Sequence, residues 1–278
     1  PDATLFNSWE WLFSWWQAYH CAKKSLRLLI WRDAESGTAV GIAPLYKASE
    51  SMLPGLRCNV LRFIGDGSYD SDYLNFLVHP AKYLNAIIRD WVRWLLGSRE
   101  YDAAVLNTLP PDSPLPKAVR HYAIRWNMAF RCDPRPCAMT WLPDSFDAFL
   151  SSRPARFRTK LRSLLRTYDT ERTFRVERDA LHLRTRLRSL FVLHHRRWQR
   201  LGHSGIFADK EKRLFYAYFV PRFARKGWLQ FFSLRHADTY MAHEMCFGRH
   251  GRIFLLQEGF DISEPKSSYG HMLRAVNF

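Results

Sequence analysis

The sequence contains little cysteine and lacks long apolar runs. Five cysteines, Cys21, Cys58, Cys132, Cys137 and Cys246, are odd in number and scattered. This argues against a disulfide framework and favours a reducing cytoplasm. Four residues separate Cys132 from Cys137, and no second pair follows, so no structural zinc site is predicted. No stretch approaches the ~20 consecutive apolar residues that a bilayer-spanning helix needs.

Several motifs of common enzyme classes are also absent. The chain has no Walker loop, no Gly-x-Gly-x-x-Gly, no His-Glu-x-x-His and no Gly-x-Ser-x-Gly. These absences argue against P-loop nucleotide hydrolases, Rossmann enzymes, zinc proteases and α/β-hydrolases. The acidic loop "GDGSYDSD" lacks the spacing and the terminal Glu of a calcium-binding EF-hand. It is either a binding loop or a set of turns rich in Asp.

Acidic residues are few relative to basic ones. The 278 residues include 42 Lys and Arg against 26 Asp and Glu, which gives a net charge of +16. Most of this excess lies in residues 151–200, where 14 Arg and one Lys face four acidic residues. The charge favours anionic partners such as nucleic acid, phosphorylated cofactors, acidic glycans or an anionic membrane surface.

Apolar residues make up 47% of the chain and aromatic residues 15%, enough for a full core. The first half predicts helices and short strands in alternation. Helices are predicted in "NSWEWLFSWWQAYHCA", residues 80–97 and "LPKAVRHYAIRW". A hairpin is predicted around "AESGT", two short strands around "GDGSYDSD", a buried strand in "DAAVLNTL" and a strand in "CAMTWL".

Near residue 142 the composition becomes Arg-rich, and a helix start is signalled at Asp144 or Ser145. Apolar stripes then predict helices over residues 157–168 and 183–201, and Pro221 kinks or splits a third. A strand in "TFRVERD" precedes the second helix. Three strands, "WLQFFSLR", "TYMAHEMCF" and "RIFLLQEGF", precede a last helix from Ser268. The pattern predicts an α+β fold with domains at 1–142 and 143–278.

The start of this last helix has a physical use. The first turn of a helix presents unpaired N–H groups and a positive dipole, which together accept phosphate. The segment "SSYGHMLRA" places Ser267, Ser268 and Gly270 there, and small residues let the backbone approach an anion. The alternative is an ordinary N-capped surface helix.

The order of motifs resembles the CelD/BcsL-like acetyltransferases, a branch of the GNAT acyltransferase superfamily. The resemblance rests on "LHHRRWQRLGHSGIF", "KGWLQFFSLR", "MAHEMCFGRHGRIFLLQEGFD" and "SSYG". "SWEWLFSWW", "GIAPLY", "LRFIGDGSYDSDYLNFLV" and "PPDSP" extend it over nearly the whole chain. The family's Ser-Pro-Gly appears here as Ser268-Tyr269-Gly270, which loses the preset φ of proline and puts the geometry of this turn in doubt.

The resemblance implies tandem GNAT-like domains, with mixed central sheets flanked by helices, close to the Fem-type peptidoglycan aminoacyl transferases. It implies acetyl-CoA or another acyl-CoA as donor, no metal, and an amine or sugar-linked acceptor. The family name implies exopolysaccharide or cellulose production. The pantetheine arm would lie along Ile253–Phe260, including Leu256 and Gln257. The pyrophosphate would lie on Ser267–His271, with Ser267, Ser268, Gly270 and His271 as contacts.

Direct acyl transfer to an amine of pKa near ~10 needs a base. Glu258 and Asp261 at the end of the strand are candidates, and Glu244 on the neighbouring strand is a third. Tyr269 is a candidate acid for the leaving thiolate. Asp261 could instead be a turn residue, and Glu244 could point to solvent.

Arg197, Trp198 and Glu244 are the candidates for contacting the acceptor. Arg can bind carboxylate or phosphate in a bidentate manner, whereas Trp198 also fits the apolar stripe of its helix.

Two rival functions remain open at this point. One is a Fem-like aminoacyl transferase that uses tRNA, whose phosphate backbone would bind the Arg-rich helix of residues 153–166. The other is a non-catalytic basic binding module on a decayed transferase fold. GNAT-like proteins continue with further strands after this helix, so the second domain is predicted to be incomplete at its C-terminus and the chain a fragment.

Overall fold

A computed structural model describes residues 4–171, 173–263 and 268–277. The chain divides into two compact units, Pro1–Pro136 and Cys137–Phe278. The predicted domain boundary at residue 142 remains a prediction.

The described part of the first unit is built on a five-stranded mixed sheet. Its strand order is β1-β2-β3-β5, with β4 paired to β2. The pair β3–β5 is parallel and the other pairs are antiparallel. The predicted hairpin between the first two strands is therefore confirmed. The strands are β1 (Lys24–Arg32), β2 (Ala39–Leu53), β3 (Leu56–Phe63), β4 (Leu77–Val78) and β5 (Ala103–Val105).

Three α-helices accompany this sheet among residues 4–136. They are α1 (Trp9–Tyr19), α2 (Leu84–Gly97) and α3 (Leu115–Arg125), with short 3-10 helices at Leu5–Asn7 and Ala81–Tyr83. Ser8 begins α1, since its side chain accepts a hydrogen bond from the N–H of Trp11 at 3.3 Å. The indole N–H of Trp11 in turn donates to Ser71 Oγ at 2.9 Å, which ties the acidic loop to the helix.

The acidic loop of the first unit is held internally. Asp66 is buried and pairs with Arg62 at 2.8 Å. The side-chain amide of Asn107 donates to both oxygens of the same carboxylate. Because a buried carboxylate needs such partners, these contacts favour the interpretation of Asp66 as a structural residue of the loop.

The second unit contains an antiparallel four-stranded sheet of order β6-β7-β8-β9 within its described residues. Its strands are β6 (Phe174–Glu177), β7 (Leu229–His236), β8 (Thr239–Arg249) and β9 (Arg252–Phe260). Its helices are α4 (Phe146–Ser151), α5 (Ala155–Thr170), α6 (Leu183–Arg200), α7 (Lys210–Arg225) and α8 (Tyr269–Asn277), with a 3-10 turn at Ile206–Ala208. The predicted series of three strands and a final helix is confirmed.

Three predicted elements need correction. The strand in "CAMTWL" is wrong: residues 137–142 form no strand, and Met139 and Trp141 are 75% and 84% exposed, with no paired strand beside them. The strand predicted in "DAAVLNTL" is shorter than expected: β5 has three residues, which are partly exposed at the edge of the sheet. Pro221 does not split α7, which is continuous from Lys210 to Arg225.

Helices α6 and α8 cover opposite faces of the second sheet. Successive strand residues point to opposite faces. His243 of β8 meets the α6 side, where its Nδ1 lies 2.8 Å from Ser233 Oγ, while Glu244 meets Arg274 of α8. The core between the sheet and α8 is a cluster of apolar side chains: Phe174, Leu234, Met241, Ala242, Tyr269, Met272 and Leu273.

A buried arginine anchors α6 to the sheet. Arg186 has no exposed surface; its Nε donates to Ser233 Oγ at 2.7 Å, and its guanidinium also donates to the carbonyls of Asp179 and Phe231. Ser233 Oγ thus accepts from Arg186 and also contacts Nδ1 of His243 on the neighbouring strand. Burial, with the charge of Arg186, lowers the pKa of His243 to about 3.

The packing of α6 on β9 depends on Gly259. A Cβ at this position would lie 3.0 Å from both Leu190 Cδ1 and the carbonyl oxygen of Leu190, and 3.1 Å from the backbone nitrogen of His194. Two of these atoms belong to the helix backbone and cannot rotate away. The absence of a side chain therefore sets how closely α6 approaches the sheet.

We predict that Gly259→Ala lowers the free energy of unfolding by about 1–3 kcal/mol through overpacking. Gly97→Ala is the matched control, because a Cβ at Gly97, the last residue of α2, meets nothing within 4 Å. That control should change stability by less than ~1 kcal/mol. Urea denaturation measures both variants, and an equal effect of the two substitutions would contradict the proposed close approach.

Candidate functional site

Strand β9 forms one edge of the described part of the second sheet, and its ladder is irregular. Met245 pairs with Gln257 and Cys246 pairs with Leu255, so Leu256 is an extra residue without a partner on β8. Such a bulge bends a strand and re-aims the side chains after it, and bulges are common beside active sites. The two residues predicted to contact a donor, Leu256 and Gln257, lie at this irregularity.

After the bulge, two carboxylates lie side by side. Glu258 is the cross-strand partner of Glu244, and like charges in that position repel. Arg274 of α8 bonds to both, with Nε 3.0 Å from Glu244 and Nη2 2.7 Å from Glu258. Burial acts to lower the pKa of Arg274, but the two carboxylates outweigh it and raise the pKa. The prediction that Glu244 could simply point to solvent is wrong, since helices cover both faces of the sheet.

A second arginine completes this group. Arg197 of α6 places Nη1 3.1 Å from Glu258 Oε1. Because α6 and α8 lie on opposite faces, Arg197 reaches Glu258 around the edge of β9. Its guanidinium also lies 4.6 Å from the ring centroid of Phe260, a cation–π contact. We call the set Arg197, Glu244, Glu258 and Arg274 the charge cluster; it balances two positive and two negative groups.

The first turn of α8 lies against the end of β9. A Cβ at Gly270 would approach Phe260 Cδ1 to 2.8 Å, so glycine is required here by packing on the strand. Ser268 precedes the helix in the left-handed region at φ 50° and its carbonyl accepts the N–H of Met272 at 3.0 Å. Ser267, the other predicted contact in this turn, lies outside the described residues.

Positive charge surrounds this helix start. Partial burial, together with the charges of Lys160 on α5 and Arg274, lowers the pKa of His271. Lys160 therefore lies close enough to the turn to act on it electrostatically. The lysine and arginine beside it supply cations for an anionic group.

Asp261 and Tyr269 have different surroundings. Asp261 follows β9 directly; its N–H donates to the carbonyl of Met241 at 2.7 Å, and its Oδ1 accepts the N–H of Ser263 at 2.8 Å. The ring of Tyr269 instead packs in the core, 6.1 Å from the ring of Phe174. Its predicted role as an acid stays a prediction, and packing alone already explains an aromatic residue here.

Trp198 is half-buried and supports its neighbour on α6. Its indole N–H donates to His194 Nε2 at 2.9 Å, which places the proton of a neutral His194 on Nδ1. Burial, followed by the charge of Arg197, lowers the pKa of His194 to about 4. Trp198 therefore does not reach the charge cluster through any hydrogen bond of the described residues.

The structure adds three residues to the predicted set: Arg274, Phe260 and Lys160. Arg274 carried a signal in the sequence, because it follows Gly270 by four residues and so shares its helix face. The contacts of Phe260 and Lys160 join segments that lie far apart in the chain, so no local sequence pattern predicts them.

The part of the chain that the structure describes contains no group of three or more His, Cys, Asp or Glu that could hold a metal ion. In the described structure, none of the five cysteines is joined in a disulfide bond. None of the described helices is both long and apolar enough to cross a membrane.

Comparison with known proteins agrees with this geometry. Residues 155–275 match the family model described as "Acetyltransferase (GNAT) domain", a stretch from the first residue of α5 into the last turn of α8. The crystal structure of FemX is similar in fold, with a TM-score of 0.61, 12% identity, and coverage of 100% of this chain and 80% of that chain. No curated protein matches the sequence. The predicted α+β class and tandem GNAT-like arrangement are confirmed, and the chain carries a GNAT-type domain.

We predict that His194 contributes to acid destabilisation. Its pKa is about 4 in the folded protein and about 6.5 when unfolded. Only the unfolded state gains this proton between those values, so stability falls as the pH drops from ~6.5 to ~4. His194→Gln should reduce the stability lost between pH 7 and pH 4.5 by about 2 kcal/mol.

The control for this measurement is His250→Asn at an exposed hairpin residue with φ 52°, a conformation that Asn tolerates. Urea unfolding at several pH values follows both variants. If the pH dependence of His194→Gln equals that of the unsubstituted protein, the neutral buried state assigned to His194 is wrong.

Proposed function

We propose that the second unit transfers an acetyl or other acyl group from acyl-CoA to an amine or a sugar-linked acceptor. One observation carries the proposal: a bulged edge strand, β9, ends against the first turn of α8, inside the segment that matches the GNAT domain. The edge of β9 offers backbone groups to an extended amide-containing arm, and the helix start offers N–H groups to phosphates.

The residues around the turn fit such a donor. Leu256 and Gln257 flank the arm, while Ser268, Gly270 and His271 form the phosphate side together with Ser267. Lys160 and Arg274 add positive charge next to the same turn. Arg197 and Glu244, both in the charge cluster, remain the candidates for contacting the acceptor. Trp198 has an indirect role, since its indole N–H bonds to His194 on the same helix.

Direct transfer requires four linked changes. The amine nitrogen bonds to the thioester carbonyl carbon, the C–S bond breaks, the nitrogen loses a proton to a base, and the leaving sulfur gains one. Of the candidate bases, Glu258 has one oxygen engaged by Arg197 and the other by Arg274. Glu244 is buried against Arg274. Asp261 uses one oxygen in a turn, and its second has no hydrogen bond in the described structure; we propose it as the base.

We propose a cytoplasmic location, because acyl-CoA is the proposed donor and the five cysteines form no disulfide bond in the described structure. The resemblance to the CelD/BcsL-like family supports an acceptor from exopolysaccharide or cellulose production. The closest rival is aminoacyl transfer from tRNA, favoured by the FemX-like fold and by the exposed arginines of α5. A non-catalytic anion-binding module is the remaining alternative.

We predict that acetyl-CoA raises the melting temperature of the protein, because a ligand at ~100 times its Kd stabilises the folded state by about 2.7 kcal/mol. Lys160→Glu should weaken this binding about tenfold by reversing a charge beside the helix start. Arg162→Glu is the control, since two residues along an α-helix turn it by ~200° to the far side of α5.

Gly270 is less useful in this test, because a larger residue clashes with Phe260 and disturbs the fold itself. No thermal shift at millimolar acetyl-CoA would refute the donor assignment. A shift with tRNA instead, lost steeply as salt rises, would favour the tRNA alternative.

We predict that Asp261→Asn lowers the rate of acyl transfer by about 10²–10⁴-fold, the usual contribution of a general base, with little change in melting temperature. Glu258→Gln should chiefly lower the melting temperature, because both arginines of the charge cluster lose a charged partner. Thioester consumption measured with a panel of amines and amino sugars reports the rate. Full activity in Asp261→Asn excludes this residue as the base.

A further inference from the structure

A groove of about 500 Å³ lies between α6 and α7, on a face of α6 that the candidate site does not use. Residues 184, 187, 188 and 191 of α6 line it, whereas residues 186, 190 and 197 of the same helix contact the sheet or the charge cluster. Its floor is apolar and includes Leu187, Phe191, Leu214 and Val220. The groove is thus separate from the proposed donor site.

The rim of the groove is cationic. Arg184, Arg188, Lys210 and Arg213 line it, and its lining contains no acidic residue. Arg213 donates to the carbonyls of Phe207 and Ala208, while the other three have no hydrogen bond or ion pair to a side chain in the described structure. The nearest acidic residues in sequence are Asp209, which caps α7, and Glu211 beside it.

The wall of the groove also offers a backbone acceptor. Pro221 lies inside α7 and lines the groove together with Ala217. Proline has no N–H, so the carbonyl of Ala217 lacks the donor that an α-helix normally supplies four residues later. This carbonyl therefore has no i+4 partner within α7, on the wall of the groove that Ala217 and Pro221 line.

We propose that this groove binds an acidic amphipathic segment of a partner protein. Apolar side chains of the segment fill the floor, its carboxylates pair with the arginines and lysine of the rim, and a donor group meets the Ala217 carbonyl. A fatty acid carries a single carboxylate, whereas four cationic residues line the rim. The concave shape disfavours a flat membrane surface, and the apolar floor disfavours a nucleic-acid backbone.

The test uses a fluorescein-labelled synthetic peptide of about five helical turns, with Leu at i, i+3, i+4 and i+7 and Glu on both sides of that stripe. Fluorescence anisotropy with the full chain measures its affinity. We expect saturable binding that weakens at least about tenfold in the double variant Arg184→Glu/Arg188→Glu. A peptide of the same composition with the leucines dispersed should bind at least about tenfold more weakly than the striped one.

The control double variant is Arg93→Glu/Lys117→Glu, two exposed residues of α2 and α3 that change the net charge by the same amount. It should bind the peptide as the unsubstituted protein does. The proposal is overturned if the striped peptide does not bind, if both double variants lose affinity equally, or if both peptides bind alike. Stronger groove-dependent binding of anionic vesicles or of an oligonucleotide also overturns it, in favour of a membrane or nucleic-acid surface.

Discussion

The position of the Glu258 carboxylate between two guanidinium groups constrains the rest of the second unit. One arginine comes from α6 and the other from α8, so a single side chain on β9 joins helices that lie on opposite faces of the sheet. Its cross-strand neighbour is also an acid, and without Arg274 the pair would repel. The arrangement therefore forms only when both helices are in place, which couples the local geometry of the candidate site to the packing of the whole unit.

The two residues that follow Glu258 in β9 complete this coupling through their size. The backbone of α6 packs closely on Gly259, and Gly270 of α8 packs on the ring of Phe260, where a larger side chain would clash. Glu258 thus pairs with an arginine of each helix, Gly259 sets the distance between α6 and the strand, and Phe260 contacts the start of α8. Their alternation between faces follows from the pleat of a strand, so each of the two helices meets its own part of the same short segment.

The sequence predicted the strands and helices of the second unit well, because the stripes of α5 and α6 and the alternation in β7–β9 are local signals. It also located the start of α8. It failed for "CAMTWL", where an apolar run resembles a strand but finds no strand to pair with. It could not reveal that Arg197 and Arg274 share Glu258, since that contact joins three segments, nor that Glu244 is buried, since alternation alone cannot show that a helix covers each face.

The extra residue at Leu256 has a further consequence for the behaviour of the protein in concentrated solution. An open strand edge is a template on which a strand of another molecule can add, and such additions lead to aggregates. In the described structure, the bulge interrupts the regular spacing of backbone groups along β9, and Arg197 crosses the same edge two residues later. A foreign strand therefore finds neither a straight ladder nor an uncharged surface, while a flexible small molecule can still follow the bend.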